Sequence, residues 1–225
     1  ASITPKPFKV GSDTLYARLL EDLKIATDLV PWRNDVASIG DQKDERITKG
    51  AVKALRARIA LFRGGYALRQ NATMTRPANY LDYYKIAQTE CAEIMASGQH
   101  SLNPSFRALW KDQVCARAVN DPQGELMFQG SAAGLSSAQD SKLGYYNGPR
   151  VDNRGNSSVN PMATYFYLFD STDQRRDVTC TPYYVGPDGI TKLGQASTAM
   201  VDGKYRRDWI TNPTMDPKSA QQYFG

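Results

Sequence analysis

The segment from residue 47 to residue 67 most constrains what this 225-residue chain can fold into. It is rich in Ala and Arg, and Thr48 stands near its start, where a side-chain oxygen can cap a helix. Large apolar side chains recur along it at a helical spacing, namely Val52, Leu55, Ile59, Phe62 and Tyr66. One amphipathic helix cannot enclose a core by itself, so the segment predicts a fold in which several helices pack together.

Two further segments show the same helical periodicity. Residues 15–30 carry an apolar stripe that ends at Pro31, and residues 80–97 carry another, with Gly98 at a position that suits a left-handed closing residue. Helices of about 16 to 20 residues joined by short links are typical of antiparallel pairs stacked in the tetratricopeptide manner. The first part of the chain therefore predicts a mainly α fold of stacked, tetratricopeptide-like helical hairpins.

The character of the chain changes after residue 100. Residues 130–160 are rich in Gly, Ser, Asn and Asp, a composition typical of loops. Short elements are predicted around them: a strand at 125–129, a helix at 160–169 and a hairpin whose turn is 186–189. We expect residues 1–130 to form the helical scaffold, and residues 131–225 to form a loop-rich ligand-binding region with short β-strands in the same domain.

Charge and cysteine content exclude several classes of function. The formal net charge of +5 comes from 28 basic and 23 acidic residues that are scattered along the chain, which does not favour a nucleic-acid-binding face. Cys91, Cys115 and Cys180 lie far apart, and the chain has one His, so neither a zinc site nor another metal or cofactor is expected. Free buried thiols are the simplest interpretation, and one disulfide of unassigned pairing stays open.

The order of short motifs covers nearly the whole chain. The first helix carries Leu15-Tyr16 and ends at Leu29-Val-Pro31, and the Ala- and Arg-rich helix opens with Thr48-Lys-Gly-Ala51. Later motifs are Phe106-Arg-Ala-Leu-Trp110, Glu125-Leu-Met-Phe128, Pro161-Met-Ala-Thr164, Leu168-Phe169 and Asp173-Gln-Arg175. This order resembles the SusD/RagB family of outer-membrane nutrient-binding lipoproteins. Pro161-Met-Ala departs from the Pro-Thr that is frequent in the family.

The resemblance implies a SusD-like fold and a binding protein without enzymatic activity. Such a protein is lipid-anchored at the cell surface, on the outer membrane, and covers a SusC-like TonB-dependent transporter in nutrient uptake and polysaccharide utilisation. Its ligand is a glycan or, in some members, a peptide. The resemblance also implies that this chain is the middle of a longer protein, with the secretion signal and the lipidated cysteine upstream of Ala1.

The candidate ligand-binding residues share an aromatic or planar polar side chain in a loop. Sugar rings stack on aromatic faces, while sugar hydroxyls need amide, carboxylate or guanidinium partners. The candidates are Tyr145, Tyr146, Asn147, Arg150 and Asn153, together with Trp209 further along the chain. Ordinary loop packing is the alternative for the first five, and a cation–π cluster with neighbouring arginines is the alternative for Trp209.

Two other functional hypotheses remain open from the sequence. The same scaffold can bind oligopeptides, and a generic tetratricopeptide-type module would bind a protein segment along its helices. Catalysis is not expected, because the acidic and basic cluster from Asp173 to Asp177 has the pattern of ion pairs at a helix end.

Overall fold

The structure is a computed structural model that describes residues 10–36, 43–69, 71–115, 120–130, 143–152 and 155–209. The chain divides into two compact units. The first consists of Ala1–Leu102 with Pro122–Gln129, and the second consists of Asn103–Asp121 with Gly130–Gly225. The predicted fold class is confirmed: helical hairpins are followed by a loop-rich region with short strands.

Three long helices dominate the first unit. They are α1 (Ser12–Leu29), α3 (Lys49–Gly64) and α4 (Tyr80–Ala96), with the short α2 (Arg33–Val36) and the antiparallel strands β1 (Ala67–Leu68) and β2 (Met74–Thr75) between them. The Thr48 side chain accepts a hydrogen bond from the Ala51 amide, as predicted for the cap of α3. Gly98 has a φ of 64°, which confirms the left-handed position after α4.

The predicted apolar stripe of α3 is partly wrong. Leu55, Phe62 and Tyr66 are all about half exposed or more, whereas Val52 is buried and Ile59 packs on the core. The buried part of that core is built largely from small residues, with Ala57 and Ala60 against Leu20 of α1 and Ala87 of α4. Small side chains allow close helix approach, and that gain in packing outweighs the burial of the larger residues on the opposite face.

Gly64 shows how closely α3 and α4 approach. A Cβ added at Gly64 would lie 2.9 Å from the Tyr84 ring and 3.0 Å from the Tyr80 carbonyl oxygen. No larger residue fits there without movement of the backbone of α4. The Gly64-Gly65 pair therefore ends α3 where the next helix begins to pack on it.

A buried ion network joins α3 to α4. The Lys53 ammonium lies 2.9 Å from a Glu90 oxygen and 2.5 Å from a Glu93 oxygen, and Arg56 also pairs with Glu90. Burial alone lowers the pKa of Lys53, but the hydrogen bonds to Glu93 and Glu90 outweigh it, and the net pKa is raised. Lys53 is therefore charged and compensated within the interface.

The apolar stripe predicted on residues 80–97, which form α4, is buried only in part. Ala87 and Ile94 are buried, and Tyr83 and Ile86 pack on the same core. Met95 is 72% exposed and Cys91 is also exposed. Neither side chain belongs to the face of α4 that packs on the core.

Short elements make up the second unit. They are α5 (Phe106–Ala108), a π-helix (Leu109–Cys115), α6 (Leu143–Asn147), α7 (Ala163–Tyr167), α8 (Gln174–Thr179), β3 (Cys180–Thr181), β4 (Tyr183–Val185), β5 (Lys192–Gly194) and β6 (Val201–Asp202). Strand β3 pairs with β6 and β4 pairs with β5, both antiparallel. The predicted hairpin is confirmed, because the turn at 186–189 joins β4 to β5 and Gly189 has a φ of 72°.

Two elements predicted from the sequence differ from those in the structure. Residues 125–129 form no strand, and the Gln129 amide instead donates one hydrogen bond to the Asp44 carbonyl. The helix predicted at 160–169 is shorter in the structure and spans Ala163–Tyr167. Asn160 lies before it, where its side chain forms hydrogen bonds with Ser157. Among the described residues, no helix combines the length and the apolar character needed to cross a membrane.

All three cysteines are free thiols in the described part of the chain. Cys180 is buried, and Cys115 is half-buried with its thiol donating to the Lys204 carbonyl at 3.1 Å. Burial raises the pKa of Cys115 to about 11. The expectation of buried thiols thus holds for Cys180 and in part for Cys115, and it is wrong for Cys91.

Candidate ligand-binding site

The candidate loop begins with the short helix α6 and is held by backbone hydrogen bonds. The Gly148 amide donates to the Gly144 carbonyl at 2.8 Å and closes the helix. The carbonyls of Tyr145 and Tyr146 accept from the amides of Asn156 and Ser158, at 2.8 and 2.6 Å. These bonds fix the backbone on both sides of the two tyrosines.

Gly148 is needed for this arrangement. A Cβ at this position would lie 2.3 Å from the Tyr205 carbonyl oxygen, so the loop passes directly against another backbone. Any larger residue would push α6 away from that segment. The glycine thereby sets the position of the tyrosines that precede it.

The two tyrosines have different roles. Tyr145 packs against the buried pair Val151 and Val185, whereas Tyr146 keeps 44% of its surface exposed. Their rings meet edge to face with centroids 5.3 Å apart. This geometry is favourable for aromatic pairs, so the partly buried ring of Tyr145 orients the exposed ring of Tyr146.

Arg150 stands on a short backbone bridge. Its carbonyl accepts from the Val185 amide at 2.8 Å, and the Asp152 amide donates to the Val185 carbonyl at 3.0 Å. The Arg150 Nε is buried and has no hydrogen-bond partner among the residues that the structure describes. A buried donor without a partner costs about 1–3 kcal/mol, so an acceptor that reached it would be stabilised.

Of the two remaining loop candidates, the structure describes Asn147 and does not describe Asn153. Asn147 ends α6 and is partly exposed, so its amide is accessible. Asn153 lies outside the described residues. The structure therefore describes four of the five loop candidates in one continuous segment, 145–150.

Trp209 is in a different environment from the loop tyrosines. Only 5% of it is exposed, and the Arg206 guanidinium lies 4.4 Å from the ring centroid, with that of Arg107 at 5.8 Å. This is the cation–π alternative considered from the sequence. Its ring has little open surface that a sugar could cover.

Arg206 also organises a buried polar network. It donates to the carbonyls of Gly203, Asp177 and Val178 and to the Tyr183 hydroxyl. The Tyr183 hydroxyl in turn donates to Asp208 at 3.0 Å. Burial raises the pKa of Tyr183, and this network therefore keeps a neutral phenol between a cation and a carboxylate.

The cluster from Asp173 to Asp177 consists of ion pairs, as expected. Asp173 caps α8 and pairs with Arg175 at 2.5 Å, and Arg176 pairs with Asp177 at 2.9 Å. Hydrogen bonds from Arg175 lower the pKa of Asp173 to about 2. A general acid needs a raised pKa, so this carboxylate is unsuited to that role.

Sequence reasoning did not single out the exposed aromatics of α7. Tyr167 is 63% exposed and Tyr165 is 46% exposed. The signal was available, because the run from Tyr165 to Phe169 has four aromatic residues on little more than one helical turn. Such a run cannot bury all of its rings on one face.

Comparisons with known proteins bear on the fold. Neither the family models nor the curated proteins include a match to this chain. Among solved structures, the chain is similar to surface glycan-binding protein A from Bacteroides uniformis, with a TM-score of 0.55 and 18% sequence identity. The similarity covers 86% of this chain and 38% of that one, and at this identity it shows the fold alone.

Proposed function

We propose that this chain is part of a SusD/RagB-like protein that binds oligosaccharides at the cell surface. The fold shared with a surface glycan-binding protein supports the class of ligand. The exposed ring of Tyr146, held on the partly buried Tyr145, is the observation that carries the choice of site.

In this proposal one sugar ring stacks on the open face of Tyr146. The Asn147 amide and the guanidinium of the partly exposed Arg150 bind its hydroxyls. Asn153 is proposed as a further polar contact. Trp209 supports Arg206 and has no direct contact with the ligand, because its ring is buried.

The proposed role is capture and delivery without covalent chemistry. The protein would sit on the outer membrane through a lipid anchor upstream of this chain and pass its ligand to a SusC-like TonB-dependent transporter. Reversible stacking and hydrogen bonds suit this role, because they permit release.

Isothermal titration of the protein against a panel of neutral oligosaccharides and oligopeptides tests this proposal. We expect one class of oligosaccharide to bind, and Tyr146→Ala to weaken that binding about tenfold or more through lost stacking. Tyr146→Phe should preserve most of the affinity, because it keeps the ring.

Tyr167→Ala is the matched control, because Tyr167 is an exposed tyrosine of the same unit outside the loop. It should change affinity by less than about twofold. Binding of peptides alone would overturn the glycan ligand and favour the oligopeptide alternative. Glycan binding that is insensitive to Tyr146→Ala would overturn the site.

A further inference from the structure

The β1–β2 hairpin of the first unit presents an apolar face to solvent. Leu68 pairs with Met74 across the two strands, and the same register places Tyr66 opposite Arg76. Residues opposite one another in an antiparallel pair lie on the same face, and positions two apart along a strand also share a face. Tyr66, Leu68, Met74 and Arg76 therefore form one surface, called here the hairpin face.

The hairpin face is strongly exposed. Tyr66, Leu68 and Met74 are each between 63% and 66% exposed. Exposed apolar side chains that are contiguous, and not scattered singly, mark interaction surfaces in soluble proteins. Tyr, Met and Arg are also enriched at the centres of protein interfaces.

The opposite face of the hairpin is attached to the body of the unit. The Arg69 guanidinium pairs with Asp13 of α1 and donates to the Thr75 carbonyl at 3.3 Å. In the connecting loop, the Arg69 amide donates to the Thr73 carbonyl at 2.9 Å, and the Asn71 side chain accepts from Thr73. The hairpin is thus held in place, so binding to its free face requires little ordering.

Arg76 supplies a cation at one end of this face. Its guanidinium stacks on the Tyr80 ring at 3.5 Å and on the Tyr66 ring at 5.1 Å. Among the described residues it forms no ion pair. Stacking covers the plane of the guanidinium and leaves the donors on its edge for a carboxylate.

The hairpin segment itself is basic. From Tyr66 to Leu81 the sequence contains Arg69 and Arg76 and no Asp or Glu, and Asp82 follows. Arg69 is paired with Asp13, which Arg63 also contacts, so Arg76 is the cation of this segment that has no ion pair among the described residues. An anionic group on a partner is therefore the complement of Arg76.

We propose that the hairpin face docks a segment of another protein in which apolar side chains flank an Asp or Glu. The apolar residues of that segment would cover Leu68 and Met74, and its carboxylate would bind the edge of Arg76. A saccharide would use only the Tyr66 and Arg76 end of this face, because Leu68 and Met74 offer neither a flat ring nor hydrogen bonds. This inference is independent of the glycan site, which lies in the other unit.

Selection from a phage-displayed random peptide library on the protein tests the proposal. We expect the enriched peptides to carry Asp or Glu between apolar residues. Synthetic copies should bind at least about tenfold more weakly to Arg76→Gln and to the double variant Leu68→Ser with Met74→Ser. Replacement of the peptide Glu by Gln should cause a similar loss, because it removes the charge.

Arg58→Gln is the matched control, because Arg58 is an exposed arginine that stacks on Phe62 in the same unit. It should leave peptide affinity within about twofold, and the thermal unfolding of every variant shows that its fold is intact. Failure to enrich acidic peptides would overturn the proposal, as would equal binding to all variants. If the protein self-associates and the hairpin variants abolish that self-association, the partner would be a second copy of this chain, and the proposed different protein would be overturned. Binding of an acidic polysaccharide alone would also overturn the proposal.

Discussion

The helical hairpin of the first unit and the ligand loop of the second are stabilised in different ways. Helices α3 and α4 pack through small residues around Ala60 and enclose the ion network of Glu90. The loop around Tyr146 relies on single backbone hydrogen bonds and on the partly buried Tyr145. A few packed side chains stabilise the helices, whereas several single hydrogen bonds stabilise the loop and leave one aromatic ring exposed.

Glu90→Ala tests the helical side of this comparison and has the largest expected effect. It leaves Lys53 and Arg56 without their buried partner, and loss of one member of a buried ion network costs about 3–5 kcal/mol. Urea unfolding measures the change in the free energy of unfolding. Glu93→Ala is the control: the Glu93 side chain is 53% exposed, and its loss should cost about 1 kcal/mol or less.

Arg206→Gln tests the second unit. The shorter side chain cannot reach the carbonyls of Asp177 and Val178, which lose their charged donor, and we expect a loss of about 2–3 kcal/mol. The near-ultraviolet circular dichroism of Trp209 should change as well, because Arg206 lies over its ring. Arg175→Gln, at an exposed arginine, should cost less than about 1 kcal/mol. Equal effects of the two variants would contradict the assigned role of Arg206.

Gly64→Ala sharpens the description of the helix crossing. Alanine favours a helix by about 1 kcal/mol over glycine, but its Cβ would crowd the Tyr80 carbonyl oxygen. Overpacking should prevail, with a net loss of about 1–2 kcal/mol in thermal unfolding. Gly194→Ala is the control, because its added Cβ would meet no atom within 4 Å. A stabilised Gly64→Ala variant would show that the helices are not in close contact there.

Asp202→Asn gives the smallest effect and depends on pH. Burial raises the pKa of Asp202, against a hydrogen bond from the Lys204 amide that lowers it. The folded protein therefore holds this proton more tightly than the unfolded chain does. Stability rises as pH falls through the raised pKa, and the gain is complete below the unfolded value of about 3.9.

Asparagine keeps the acceptor and removes the charge, so Asp202→Asn should flatten that part of the pH profile. Its stability at pH 7 should equal or exceed that of the parent, by up to about 1 kcal/mol. Urea unfolding across the acidic range measures both quantities. An unchanged slope in the variant would mean that Asp202 does not titrate differently in the folded state.

Features determined by neighbouring residues were predictable from the sequence. The Thr48 cap, the left-handed Gly98 and the turn at 186–189 each depend on a few adjacent positions, and all three are confirmed. The face that α3 buries was not predictable in the same way. Its large apolar residues and its small ones share a helical period, and only the partner helices decide which set is covered.

The candidate loop shows the same division. Tyr146 and Arg150 could be chosen from composition, because aromatic and planar polar residues occur together in that segment. The bridge that anchors the loop comes from Val185, which is 35 positions from Arg150, and no local pattern indicates that contact. Arg206 lies three positions before Trp209, so the sequence indicates it as a cation–π partner. Arg107 is distant in sequence, and only the fold brings it to the Trp209 ring.

We propose that a sugar ring stacks on the exposed ring of Tyr146. A crystal structure of the protein with the oligosaccharide selected by titration is the decisive experiment. We expect a sugar ring on the open face of Tyr146, with hydroxyls within hydrogen-bond distance of Asn147 and Arg150. A sugar seated on the exposed rings of Tyr165 and Tyr167, with Tyr146 uncovered, would refute the proposed site.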